Sequence, residues 1–158
     1  MNASMPALKA CFEAAGFTEV RTLLASGNVV FDARACAPAT LERRAEQAMQ
    51  TGLGHRFDAF VRGADALQHF IESDPYAEFA LPDAAKRVIT FLRRPAPLPF
   101  ALPLERDGAV ILKASGGEVL SAYVPSPKGP VFMRLLERNL GSAITTRTLD
   151  TVRKCAWA

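Results

Sequence analysis

Residues 17–32 read FTEVRTLLASGNVVFD, and this stretch decides how the first half of the chain is built. Val20, Thr22 and Leu24 alternate with Arg21 and Leu23, the period-two pattern of a half-buried strand. Val29, Val30 and Phe31 follow directly after Ser26-Gly27-Asn28. Gly and Asn tolerate the positive φ that a two-residue hairpin turn demands, so the stretch predicts two strands joined by a tight turn.

Upstream, Met5, Leu8, Cys11, Phe12 and Ala15 fall on one face at helical spacing. Ser4 suits the N-cap, Pro6 the first turn and Gly16 the stop, which predicts a helix over 5–15. Downstream, a second helix opens at Pro38 or Thr40 and runs to about Gln50. Leu41, Ala45, Ala48 and Met49 form its apolar stripe, with Glu42, Arg43, Arg44, Glu46 and Gln47 facing water and Gly52 and Gly54 closing it. His55–Val61, HRFDAFV, alternates and reads as a strand. A third helix begins at Asp65, buries Leu67, Phe70 and Ile71, and stops before Asp74-Pro75.

In the second half, KRVITFL over Lys86–Leu92 is a β-branched strand, followed by an extended connection carrying Pro95, Pro97, Pro99 and Pro103. Residues 109–114 and 118–124 form a second hairpin around Ser115-Gly116-Gly117. Pro130 opens a helix that closes at Gly141, residues 143–147 are a short strand, and Thr148 caps a last helix. This is the βαββαβ order of a ferredoxin-like unit with its first helix replaced by the proline-rich connection. The first half has the same order from its helix onward. The expectation is therefore an α+β chain of two ferredoxin-like units, the first lacking its N-terminal central strand. Residues 1–63 are the first unit, 64–85 a helix and linker, and 86–158 the second unit with a C-terminal helix.

The absent strand would sit between Asn28–Phe31 and Arg56–Val61, leaving each with an unpaired edge. Each orphaned buried backbone group costs about 1–3 kcal/mol, against a total stability of about 5–15 kcal/mol for a small domain. Either the natural gene starts upstream of Met1 or another segment fills the gap.

Composition bounds the function. With 49% apolar and 22% charged residues the chain can build a core. It has no apolar run near membrane-spanning length, and MNASMPALKACF does not have the pattern of a signal peptide, so the expected place is the cytoplasm and no membrane partner is expected. Cys11, Cys36 and Cys155 lie far apart, and with His55 and His69 they make no metal spacing, so neither a metal nor a cofactor is expected. Residues 1–79 hold 7 Lys/Arg and 10 Asp/Glu, a net of −3; residues 80–158 hold 12 and 6, a net of +6. A basic second half points to an anionic partner.

Two places suit a ligand. Ser26, Gly27 and Asn28 can present backbone N–H groups and an amide, although the same residues serve a tight turn. Thr146 and Arg147 run from a strand into a helix start, which suits a phosphate or carboxylate, and Lys128 and Arg153 add positive charge. The alternative there is an ordinary Thr148 cap beside a surface arginine. No P-loop, GxGxxG or nucleophile elbow occurs, so no residue is given a catalytic role.

MPALKACFEAAGFTEVRTLLASGNVVFDA, then KRVITFLRRP, then AYVPSPKGPVFMRLLERNLGSAITTRTLDTVRKCA resemble the bacterial domain-of-unknown-function 1697 family over nearly the whole chain. That resemblance implies two ferredoxin-like units in a cytosolic bacterial protein, and no activity. Members open with a strand leading into an Arg-Gly-x-Asn turn, of which Asn2 would be the asparagine, and Leu149 stands where relatives often carry Trp. The function expected is a binding module for an anionic ligand, with nucleic acid as one form. The alternatives are a small-molecule enzyme with a pocket between the units, or an interaction protein that oligomerises, as in a homodimer.

Overall fold

A computed structural model describes residues 3–93 and 97–158. Asn2 and Pro95, which entered the reading of the sequence, lie outside the described residues. Among the described residues the fold is mixed α/β, with five helices and two antiparallel sheets. The chain divides into two compact units, residues 1–66 with 155–158, and residues 67–154.

The first unit opens with α1 (Met5–Ala14), whose N-cap Ser4 accepts the Ala7 N–H through its hydroxyl at 3.2 Å. Gly16 leaves the helix at φ 94°, and β1 (Thr18–Leu23) pairs antiparallel with β2 (Asn28–Asp32). The connecting turn is longer than the two residues expected. Residues 24–27 separate the Leu23–Asn28 pair, and positive φ falls on Leu24 (61°) and Gly27 (87°). Leu24 thus leaves the alternation and stands 54% exposed, while Val20 stays buried. A bulge between Thr18 and Arg21, with Glu19 at φ 50°, resets the strand.

Beneath the hairpin, α2 (Pro38–Leu53) lies with α1 over a core of Leu8, Cys11, Phe12, Phe17, Val20, Ala45 and Met49. Phe12, Phe17 and Phe31 form a ring cluster with centroids 4.6 to 5.7 Å apart. The Arg44 guanidinium sits 4.4 Å over the Phe17 ring and donates to the Ala15 carbonyl.

Two expectations fail in this unit. Glu42 and Glu46 do not face water: they are 6% and 4% exposed. The strand expected over His55–Val61 does not form, because residues 56–63 join no ladder. The two failures have one cause. The Glu46 carboxylate accepts the Ala59 N–H at 3.1 Å, and the Glu42 carboxylate accepts that of Val61 at 2.9 Å. Side chains of a helix take the hydrogen bonds that a neighbouring strand would have taken. The alternation itself survives, since Phe57 and Ala59 pack against the core.

α3 (Ala64–Glu72) runs across the division into the second unit, followed by turns to residue 85. The sheet there comprises β3 (Lys86–Leu92), β4 (Leu104–Arg106), β5 (Ala109–Ser115), β6 (Glu118–Tyr123) and β7 (Ile144–Thr148), in the order β4-β5-β6-β3-β7. β3 is interior and has Val88, Ile89, Thr90, Phe91 and Leu92 all buried. β5 and β6 meet at the two-residue turn Gly116-Gly117, closed by the Ser115–Glu118 pair. α4 (Val131–Leu140) packs Phe132, Leu135 and Leu136 onto Val88, Leu92, Ile111 and Val119. The Tyr123 and Phe132 rings stack at 4.4 Å. α5 (Leu149–Ala156) ends the chain.

The residues between α3 and β3 carry an anchor that composition did not reveal. Tyr76 is buried, and its hydroxyl lies 2.7 Å from the Val88 carbonyl and 3.0 Å from that of Ser121, on adjacent strands. Burial raises the phenol's pKa above its ordinary value, against the lowering effect of those carbonyl contacts and of Arg87.

Candidate functional site

The residues singled out in the sequence lie at the first hairpin and in the second unit. At the hairpin, the Asn28 amide donates to the Leu23 carbonyl and to the Ser26 hydroxyl, both at 3.0 Å. Those bonds brace the turn from inside, and Gly27 supplies its left-handed residue. The geometry of Ser26, Gly27 and Asn28 is that of a turn-stabilising set.

In the second unit, Thr146 and Arg147 lie on β7 opposite Thr90 and Ile89 of β3. The Arg147 guanidinium donates to the Thr145 hydroxyl at 2.8 Å and to the Thr146 carbonyl at 2.7 Å, folding back along its own strand. Thr148 caps α5, accepting the Thr151 N–H at 3.3 Å. Arg153 and Lys154 reach back to Asp150 at 3.8 and 3.1 Å. Lys128, in the loop before α4, pairs with Asp107 at 3.2 Å. Lys128, Arg147 and Arg153 thus each have a partner close at hand. The Lys128–Asp107 and Arg153–Asp150 ion pairs are exposed and add little to stability. Beyond them, an open groove of about 650 Å³ lies between the proline-rich connection and β5, lined mainly by apolar residues such as Leu98, Phe100, Leu102 and Leu112. Among the described residues, no group of three or more His, Cys, Asp or Glu could hold a metal ion. Nor is any of their helices long and apolar enough to cross a membrane.

A further feature is the outer edge of the first sheet. Among the described residues β2 has β1 as its single ladder partner. Alternate residues of an antiparallel strand direct N–H and C=O to opposite edges, so the outer edge of β2 is where a further strand would pair. Val29 and Phe31 on β2 are half-buried against the same core that Phe57 and Ala59 cover. Glu42 and Glu46 supply the acceptors for the second of these segments. Sequence reasoning missed the carboxylates because it placed them by chemistry. Their spacing told otherwise: positions 42, 45, 46 and 49 share one helical face, and Ala45 and Met49 are core.

Comparison with known proteins agrees with this architecture. The fold resembles that of the conserved bacterial protein SP0830 from Streptococcus pneumoniae, with a TM-score of 0.65 at 16% sequence identity, over 99% of this chain and 88% of that one. No curated protein matches. The family model described as Protein of unknown function (DUF1697) matches residues 1–108 of the 158, and the chain belongs to that family.

Proposed function

We propose that the protein is an interaction module that takes up an extended polypeptide along the open edge of β2. One observation carries this reading: a two-stranded sheet of high β-propensity, half-buried over a core, has a ladder partner on one side of β2 only among the described residues. Strand addition supplies main-chain hydrogen bonds, with alternate side chains giving specificity. The sheet order of the second unit supports the same reading. There β5-β6-β3-β7 places the first strand, β3, inside the sheet, as in a ferredoxin-like unit. A first unit on the same plan would carry a further strand beside β2.

The test is a titration of the isotope-labelled chain with a short blocked peptide of alternating valine and threonine carrying terminal lysines. The expected result is saturable shifts in the amide signals of Val29, Val30 and Phe31. A peptide of the same composition with proline at alternate positions should give none, since it has too few donors for a ladder. Sedimentation of the chain alone separates a second copy as the source of the strand from another polypeptide: a dimer that the peptide dissolves identifies the second copy.

A second reading has its own support. The net charge of +6 over residues 80–158 favours an anionic ligand on the second unit. Its measurement is binding to an RNA or DNA single strand across a salt series, where affinity should fall as salt rises. The three free cysteines suit a reducing cytoplasmic compartment.

A further inference from the structure

We propose that one end of the second sheet is a binding site for single-stranded nucleic acid, with a base stacking at Tyr123 and the cations of Lys86, Arg106 and Lys128 meeting the phosphates. The proposal rests on the anionic-ligand reading of the second unit and gives that reading a place and a ligand class.

The register of the sheet carries the argument. Lys86 of β3 stands opposite Tyr123 of β6, Tyr123 opposite Ala109 of β5, and Ala109 opposite Arg106 of β4. Directly opposed residues of neighbouring strands share a face. The β5–β6 bulge falls beyond this row, between Ile111 and Lys113, and leaves it in step. One row thus sets a lysine, a tyrosine, an alanine and an arginine side by side over about 14 Å, three strand spacings. The loop after β6 joins them. Val124 donates its N–H to the Gly108 carbonyl at 3.0 Å, which holds that loop against the β4–β5 turn. Lys128 of the loop reaches Asp107 of the turn at 3.2 Å.

The chemistry of the row suits a strand of nucleotides. Lys86 and Arg106 are exposed, and among the described residues neither is in an ion pair. With Lys128 and Asp107 they carry a net charge of +2. The Lys128–Asp107 pair is exposed, so exchanging the carboxylate for a phosphate costs little. Tyr123 is half-buried, and Phe132 stacks on its ring at 4.4 Å and 15°, which fixes the plane. The Lys86 ammonium lies 5.9 Å from the ring centroid, on a long exposed stem that can move aside to a phosphate. Among the described residues the Tyr123 hydroxyl makes no hydrogen bond. A tyrosine committed to a core finds its hydroxyl a partner, so this ring keeps its polar end outward. A fixed aromatic ring flanked by cations is the arrangement that takes single strands, whose bases stack on the ring while the cations follow the backbone. A duplex keeps its bases stacked inside and offers the ring nothing.

The test uses the full chain and fluorescence anisotropy with labelled oligo-uridine and oligo-thymidine strands of about a dozen nucleotides, and inorganic polyphosphate as an anion without bases. Both strands should bind at low salt, because a stack and a row of cations read neither the sugar nor the sequence. Tyr123→Leu keeps apolar packing against Phe132 and should weaken strand binding about tenfold, with the salt slope and polyphosphate binding unchanged. Tyr123→Phe keeps the ring and should bind as the wild type does. Lys86→Ala and Arg106→Ala should each reduce the slope of log affinity against log salt by about 0.7. Arg138, an exposed cation in the last turn of α4 outside the row, supplies the control, and Arg138→Ala should leave the slope unchanged. Thermal unfolding by circular dichroism reports that each variant is folded. If polyphosphate binds and the strands do not, if Tyr123→Leu binds strands with wild-type affinity, or if Arg138→Ala costs as much as Lys86→Ala and Arg106→Ala, the site is refuted while the anionic-ligand reading stands. If neither the strands nor polyphosphate bind at low salt, both fall.

Discussion

The Glu42 carboxylate accepts the backbone N–H of Val61 at 2.9 Å, 19 residues further along the chain. A charged group that is 6% exposed is held there by an amide rather than displayed to solvent. Removing it leaves the N–H of a half-buried residue without that acceptor. Glu42→Ala should lower the unfolding free energy by about 1–3 kcal/mol, and Glu42→Gln by clearly less. Urea unfolding followed by circular dichroism measures both; equal losses would show that the charge, not the hydrogen bond, is what matters.

Gly52 lies inside α2 facing α1. A Cβ at this position would fall inside the contact radius of the Cys11 sulfur and 3.3 Å from the Cys11 Cβ. Alanine is the better helix former by about 1 kcal/mol, yet overpacking costs about 1–3 kcal/mol. Gly52→Ala should therefore destabilise the chain on balance. Its cost should shrink in the Cys11→Ala background, giving a non-zero coupling in a double-mutant cycle.

Thr90 is 0% exposed on the interior strand β3, and its hydroxyl has no hydrogen-bond partner. Valine fills the same shape without the buried polar group. Thr90→Val should raise stability by about 1 kcal/mol, seen as a higher urea midpoint at unchanged slope.

Tyr76 ties β3 to β6 and has a phenol pKa raised by burial. Its unfolded value is about 10. Above that pH the unfolded chain has lost the proton and the folded chain keeps it, so stability falls as pH rises. The loss begins near the unfolded value and approaches about 1.4 kcal/mol per pH unit for this group. Tyr76→Phe should cost about 0.5–1.5 kcal/mol at neutral pH and flatten the alkaline limb relative to wild type. Parallel limbs in the two proteins would contradict this.

Much of the second unit was legible because its signals were local. KRVITFL, the Gly116-Gly117 turn and Pro130 before an amphipathic run each specify an element by propensity and punctuation. The α1 helix and the β1–β2 hairpin were legible for the same reason. Residues 55–61 were not, because alternation reports which side chains face a core and says nothing about what pairs with the backbone. Glu42 and Glu46 were misplaced because a carboxylate on a helix is usually solvated, and only the tertiary position of residues 59 and 61 draws it inward. Tyr76 lay in a stretch of turns, where no periodicity marks a buried anchor. At the proposed anion site, Arg147 and Lys128 had the right chemistry. Their nearby partners, Thr145 and Asp107, depend on side-chain geometry that spacing does not encode.

The central claim is that β2 accepts a strand, and intermolecular nuclear Overhauser effects test it most directly. With unlabelled valine–threonine peptide bound to the labelled chain, the account predicts short Hα–Hα or amide–Hα contacts between the peptide and Val29, Val30 or Phe31, in the regular register of a ladder. Saturating peptide that leaves β2 without such contacts, or that places them elsewhere on the molecule, would contradict it.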